Sequence, residues 1–468
     1  MSHYTLVSGA LLALFLGLVV GGGSCAGGDE GAEFVSSGAD GLWVDGGSVV
    51  PSAGGDGRGD VIVCSSDTLQ VIEGFGACFN ELGWTSLSAL SGEDREGVIR
   101  ELFAPGAGAN FTLCRMPVAA NDFARNWYSY DEKDGDFAMD SFSIENDRET
   151  LIPFIKSALR YMPGLRLWAS PWSPPAWMKV NGKYNSPQDA EGSDMFIREE
   201  AYLKAYALYF SRFIDAYRSE GIDVFAVMPQ NEFNSAQIFP SCCWTAAGLA
   251  DFVGNYLGPA MNDMGVEVMF GTMERPNESL VDTILAHPAA RRHVTGAGFQ
   301  WAGKDAVGGI HERYPGLKLY QTEQECGDGN NDMAGAIRSW KLMKHYLKSG
   351  VSGYLYWNIS LMEGGVSNWG WAQNSLVVVS GDGSFRYTPE YYVIKHVSRF
   401  VANGARLLRT SGDFDDILAF VNTDGSIVVV MGNEGGERRD VKVNVNGKIY
   451  STSLAAGSLS TLIVRQNI

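Results

Sequence analysis

Eight times between residues 71 and 359 a short apolar, β-prone run gives way to a longer stretch with helical periodicity. The runs are VIEGFGACF (71–79), FTLCRMPV (111–118), LRLWASPW (165–172), FAVMPQNE (225–232), EVMFGTME (267–274), VTGAGFQW (294–301), LKLYQTE (317–323) and GYLYWNI (353–359). Near-continuous apolar character marks strands buried on both faces, as in a parallel sheet covered by helices. The stretches between them include residues 198–221 and 332–350, the latter closing on Gly350 as a helix C-cap. This alternation predicts an α/β fold, a closed (β/α)8 barrel. The chemistry falls at one end of the runs: Asn80 and Glu81, Arg115, Trp172, Asn231 and Glu232, Glu274, Trp301, Glu323, Trp357 and Asn358. Surface residues without a role would be spread over both ends. Polar side chains gathered at the C-terminal ends of barrel strands point to an enzyme.

The barrel pattern occupies residues 71–400. Beyond it, residues 401–468 alternate short strands with Asn-Gly and Asp-Gly turn signals and predict a small β-sandwich side domain. Residues 26–70 read as a Gly- and Ser-rich tether followed by extended pieces, with residues 35–65 completing that sandwich. The sandwich is a candidate glycan-binding module, although strands contributed from both chain ends favour a packed structural domain. Residues 1–25 hold an apolar run of about fifteen residues, too short to span a bilayer, ending in Gly-Gly-Ser-Cys. This predicts an exported chain, a bacterial cell-surface or periplasmic lipoprotein whose only membrane attachment is a lipid on Cys25.

The net charge of −18 excludes a nucleic-acid partner, which needs a basic footprint, and disfavours polyanionic substrates. A neutral, sugar-like ligand fits better. No GxSxG elbow, P-loop or dinucleotide fingerprint appears, so acyl, phosphoryl and hydride transfer find no support. Apart from Cys25 the cysteines are Cys64, Cys78, Cys114, Cys242, Cys243 and Cys326. Their spacing suggests neither a disulfide framework nor a zinc site, and buried thiols with at most one bridge are expected. Neither a metal nor an organic cofactor is implied.

Two strand-end glutamates suit glycoside hydrolysis. That reaction needs a proton donor on one side of the anomeric carbon and a second carboxylate on the other, about 5–5.5 Å away in a retaining enzyme. Glu232 ends the fourth run and Glu323 the seventh, so a barrel mouth can bring them face to face. Within LYQTEQECGDGNN, Glu323 is the last residue of the apolar run, whereas Glu325 lies where the chain turns away. Glu325 therefore reads as a loop residue that binds backbone or an Arg.

The segments VIEGFGACFNE, LCRMPVAANDF, LWASPWSPPAWMK, FAVMPQNEF, LYQTEQECG and YLYWNISLMEGGVSNWGW together resemble glycoside hydrolase family 30. That family of retaining β-glycosidases includes glucosylceramidases and microbial β-1,6-glucanases, and the resemblance runs from about residue 70 to the C-terminus. It implies that Glu232 is the acid/base and Glu323 the nucleophile, with Thr322 as the small hydroxyl residue before it. It places Glu81 where the family has an Asp that grips sugar hydroxyls. Trp172 and Asn231 match sugar-binding positions, Gln300 stands where some relatives have His, and Trp301 follows it. Trp357 and Asn368 match an aromatic platform and a polar position, and Arg115 matches an arginine beside the nucleophile. Ordinary packing is the alternative for each tryptophan.

The resemblance implies an anionic Glu323 next to Arg115, and a Glu232 kept protonated by burial and by its neighbour. The segments GACFNELGW, MPQNEFNSAQIFPSCCW and TEQECGDGN look closest to the bacterial β-1,6-glucanase-like branch. Endo-acting hydrolysis of β-1,6-glucan is thus the first expectation. The alternatives are an exo-acting β-glucosidase or glucosylceramidase, a β-xylosidase or a β-fucosidase. A non-catalytic glycan-binding lipoprotein is the rival from another class.

Overall fold

The computed structural model describes residues 31–38, 41–52 and 59–465; the predicted export segment and Cys25 lie outside the described residues. Three strands precede the barrel: β1 (Ala32–Gly38), β2 (Gly41–Val49) and β3 (Val61–Val71). The barrel itself comprises β4 (Gly74–Cys78), β5 (Leu113–Val118), β6 (Arg166–Pro171), β7 (Ala226–Val227), β8 (Glu267–Met273), β9 (Val294–Gln300), β10 (Lys318–Glu323) and β11 (Gly353–Asn358). Neighbours pair in parallel all the way round, and β11 returns to β4 to close the sheet. Each predicted run holds one of these strands.

Burial explains why the runs are so uniformly apolar. Every residue of β4, β5 and β11 is buried, because one face fills the barrel and the other meets helices. At Gly76 the packing excludes any side chain: a Cβ there would stand 2.0 Å from the Leu113 carbonyl oxygen. The fourth run departs from prediction. Its regular strand has two residues, and the chain then twists until Glu232 takes a φ of 47°. Sheet-like bonds persist through the twist, with the Met228 N–H donating to Ala169 O (2.9 Å) and the Asn231 N–H to Pro171 O (2.7 Å). The extra turn aims Glu232 into the mouth instead of along the strand.

Beyond the barrel a small sheet of β12 (Ser360–Met362), β13 (Val377–Val379) and β14 (Phe385–Tyr387) flanks the last barrel loop. The side domain follows with β15 (Arg406–Gly412), β16 (Ile417–Val421), β17 (Ile427–Asn433), β18 (Arg439–Val445), β19 (Lys448–Leu454) and β20 (Ser458–Val464). These join the first three strands in one nine-stranded sheet, ordered β19-β18-β3-β15-β16-β17-β20-β1-β2. A bridge from Ser52 to Ile449 brings its two edges together around a core of Phe34, Val61, Ile417, Val429 and Leu462. The alternate residues Leu418, Phe420, Val428 and Val430 face outward into the barrel's own core. A strand buried on both sides has no polar face, which accounts for the unbroken ILAFV and IVVVM.

His396, on the helix Pro389–Ser398, seals this seam by bonding Ser37 Oγ (2.9 Å) and Thr461 Oγ1 (2.8 Å). Burial keeps its imidazole neutral, with the pKa down at about 3. Cys64, Cys78, Cys114, Cys242, Cys243 and Cys326 are free thiols, so the single bridge allowed by the sequence is not formed.

Candidate active site

Arg115, near the middle of β5, is completely buried at the barrel mouth. Its Nη1 donates to Glu323 Oε2 (2.9 Å), and its Nη2 to Asn231 Oδ1 (2.7 Å) and Ser170 Oγ (2.8 Å). The guanidinium lies 4.3 Å from the ring centre of Trp172. One cation thus ties β5 to the ends of β6 and β10 and to the turn after β7.

Gln300, the last residue of β9, supplies the second tie. Its Oε1 accepts from Arg115 and from the Thr322 hydroxyl (2.9 Å), which sets the orientation of the amide. Its Nε2 donates to Glu232 Oε1 (3.0 Å) and to Glu323 Oε2 (3.2 Å). Two carboxylate oxygens bonded to one nitrogen are less than twice that distance apart. This close approach is compatible with the spacing of about 5–5.5 Å between the carboxyl groups of a retaining pair.

The two carboxyl groups differ in support. Glu323 is held at both oxygens, Oε2 by Arg115 and Gln300 and Oε1 by the Trp301 indole N–H (3.3 Å). Burial pushes its pKa up, while Arg115, Trp301 and Gln300 draw it back down. Glu232 has Gln300 on one oxygen only; its Oε2 is buried without a partner. Burial, then the negative charges of Glu323 and Glu274, lift Glu232 well above the usual carboxylate range. The sequence-based expectation of an ionised Glu323 needs this amendment: it too is raised, but against strong opposition. A proton shared by the pair therefore belongs on Glu232.

These groups open into a cleft of about 500 Å³, lined also by Asp122, Trp172, Trp301, Phe239 and Trp371. Trp172 and Trp357 stack at 5.2 Å with an interplanar angle of 24°, and both are almost wholly buried. The turn at Trp301 has a φ of 48°, which swings its indole over Glu323. Arg115, Trp172, Asn231, Gln300, Trp301 and Trp357 are therefore assembled around the two glutamates.

Glu81 and Asn368 are placed elsewhere. The Glu81 carboxylate is consumed by the Arg125 N–H (3.0 Å) and Nε (3.1 Å), Asn146 Nδ2 (3.0 Å) and Thr150 Oγ1 (3.1 Å), leaving nothing for a ligand. Asn368 Nδ2 donates to the carbonyls of Ala124 and Arg125. Both brace the loop that carries Asp122, and Asp122 is the acid that enters the cleft. Its Oδ1 is buried without a partner, and burial followed by repulsion from Glu323 holds its pKa well above normal. Sequence reading missed Asp122 because it lies in a loop four residues past β5, where no strand-end rule reaches. The NDF within the quoted LCRMPVAANDF was the available signal. Phe239, Trp371, Gln237 and Gln373 were missed for the same reason.

Residues 72–401 match the glycosyl hydrolase family 30 TIM-barrel domain, and residues 409–462 match the family's beta sandwich domain. The chain belongs to glycosyl hydrolase family 30. It is 27% identical over 404 residues to the mouse lysosomal acid glucosylceramidase, covering 81% of this chain and 77% of that one. It is 25% identical over 421 residues to the endo-1,6-beta-D-glucanase of Neurospora crassa, covering 84% and 85%. Among solved structures, SrfJ from Salmonella typhimurium superposes with a TM-score of 0.83 at 27% identity, over 93% of this chain and all of that one. The protein is a glycoside hydrolase of this family.

Glu325 pairs with Lys304 (2.8 Å), whose Nζ also holds Trp301 O (3.2 Å). The partner is a lysine where an arginine or backbone was expected, and the pair is half-exposed. Such pairs contribute about 0–1 kcal/mol. Glu325→Gln should accordingly keep kcat/KM within about threefold of wild type; a loss of several orders of magnitude would move the chemistry to Glu325.

Proposed function

We propose that this enzyme is a retaining β-glycosidase acting on neutral β-glucan, with endo-cleavage of β-1,6-linked glucan as its main reaction. The observation that carries the mechanism is the shared Gln300 nitrogen, with a fully supported Glu323 on one side and a half-supported Glu232 on the other. Glu323 attacks the anomeric carbon, forming a glycosyl ester, while the Glu232 carboxyl delivers its proton to the departing glycosidic oxygen. Esterification removes the charge of Glu323, and the pKa of Glu232 drops. Glu232 then takes a proton from the water that releases the sugar. Asn231 Oδ1 is occupied by Arg115, Thr272 and Gln300, so its amide NH2 is the group offered to a sugar hydroxyl.

The glucan assignment rests on the acidic chain, which favours a neutral substrate, and on similarity to fungal endo-1,6-beta-D-glucanases. Export as a lipoprotein on Cys25 suits a polymer met outside the cell; its support is the N-terminal sequence alone, and release of Cys25→Ala from the membrane fraction is the check.

Incubation with pustulan, a β-1,6-glucan, should give oligomers before glucose. Glucose as the first product, or faster cleavage of glucosylceramide, would favour the exo-acting alternative. Glu232→Gln should lower turnover by about 10²–10⁴-fold and Glu323→Gln by at least as much. With azide, Glu323→Ala should yield the α-glycosyl azide and Glu232→Ala the β-anomer; the same anomer from both would reverse or remove the assigned roles. The working form needs Glu323 ionised and Glu232 protonated. Activity should therefore fall as pH drops through the Glu323 pKa and again as pH rises through that of Glu232. Because both are raised above 4.5, the acid limb of kcat/KM should lie above pH 4.5.

A further inference from the structure

A buried lysine takes no part in the chemistry above. Lys179 lies between β6 and the helix Glu200–Ser219 and is 2% exposed. Among the described residues no carboxylate pairs with it. Its Nζ donates instead to three backbone carbonyls, Tyr184 O (2.8 Å), Asn185 O (3.1 Å) and Ser241 O (2.6 Å). An ammonium has three N–H donors and no acceptor, so its bonding capacity is filled. The neighbouring thiols Cys242 and Cys243 offer no counter-charge, since burial pushes both up to about 12. Burial also draws Lys179 itself down to about 8. Each carbonyl already accepts a second bond, from the Ser241 N–H, Asn181 Nδ2 and Ser186 Oγ respectively. The lysine is therefore not needed to satisfy them, and a hydrophobic side chain would fill the position at less cost.

What the ammonium does is join two loops. Tyr184 and Asn185 belong to the loop after β6, and Ser241 to the loop that starts at Glu232. The Ser241 N–H donates to Tyr184 O (3.0 Å), and the Ser186 N–H to Gln237 O (3.2 Å). Ser241 Oγ closes the tip of its own loop, donating to Gln237 O (3.0 Å) and accepting from the Gln237 N–H (3.2 Å). From Gln237 the bonds run back to the acid. Its Nε2 donates to Ser235 Oγ (2.8 Å), and the Ser235 N–H donates to Glu232 O (2.9 Å).

Glu232 depends on such a frame. Its φ of 47° is unfavourable for a residue with a side chain and persists only where the surroundings impose it. Its Oε2 has no partner, so the backbone beneath it sets where that oxygen points.

We propose that Lys179, acting with Ser241, is a positioning residue for Glu232: an internal ammonium clamp that fixes the loop 232–244 and with it the aim of the proton-donating carboxyl. This rests on the hydrolase reading above and deepens it by adding a residue that acts without touching the substrate.

The test uses the full-length enzyme and two aryl glycosides of β-1,6-linked glucobiose. One releases phenol, which needs a proton to leave; the other releases 2,4-dinitrophenol, which does not. Because kcat/KM reports the attack by Glu323, a misaimed acid slows the phenyl substrate and spares the dinitrophenyl one. In Lys179→Met the phenyl-to-dinitrophenyl ratio of kcat/KM should fall at least about tenfold. Ser241→Ala keeps the ammonium but loses both side-chain bonds to Gln237, and should lower the ratio at least about threefold. Thermal melting checks the folding of both variants. A ratio within about twofold of wild type in folded Lys179→Met, whether or not both rates fall together, would overturn the clamp and leave the hydrolase reading intact. Should Lys179→Met fail to fold, Ser241→Ala decides, and an unchanged ratio there overturns the clamp. A wild-type enzyme inert toward both glycosides would bring down the β-1,6-glucan reading and the clamp with it.

Discussion

A guanidinium removed from water at the mouth of the barrel organises everything around it. Placing an isolated cation in such surroundings costs several kcal/mol, and only close anionic and polar partners offset it. Arg115 obtains them from the Glu323 carboxylate, the Asn231 carbonyl and the Ser170 hydroxyl, with the Trp172 ring as a further face. Glu232, Glu323 and Asp122 are three buried carboxyl groups near this cation, and the direct ion pair goes to Glu323. Burial and mutual repulsion lift all three, but that pair and two further donors oppose the rise at Glu323 alone among them through both its oxygens. The difference in proton affinity between the two glutamates follows from where the positive charge is fixed.

The mouth loops are held in the same manner, by polar side chains whose hydrogen bonds go to protein groups. Glu81 binds the segment from Arg125 to Thr150, and Asn368 grips its other side. Asp147 collects the hydroxyls of Tyr128, Tyr130 and Tyr217 at 2.6, 2.5 and 2.5 Å, and burial raises it to about 6. Satisfied buried polar networks of this kind rigidify what they enclose. What they enclose here is the loop that delivers Asp122 to the cleft. The side domain contributes as well, since one face of β16 and β17 is part of the barrel's core.

Much of this was visible in the chain itself. The eight apolar runs mapped onto eight strands because burial on both faces leaves a local, uninterrupted signature. Glu232, Glu323 and Arg115 stood out through their place in those runs. The mistaken placements, Glu81 and Asn368, are polar residues in the right region whose hydrogen-bonding capacity is spent on backbone and neighbouring side chains. Asp122, Phe239 and Trp371 sit on loops, where position along the chain says little about direction in space. No periodicity distinguishes a loop acid that faces a cleft from one that faces a peptide.

The amino-acid sequence by itself determined the closed parallel barrel, the sheet built from both chain ends, and the two strand-end glutamates that meet at the barrel mouth. Those features depend on which residues must avoid water, a property each short segment carries alone. Only the tertiary structure decided which glutamate has both oxygens supported and which keeps one free, and which acids brace loops instead of facing the cleft. Proton affinity and hydrogen-bond supply are set by neighbours from strands far apart in the chain, and they come into being when the barrel closes.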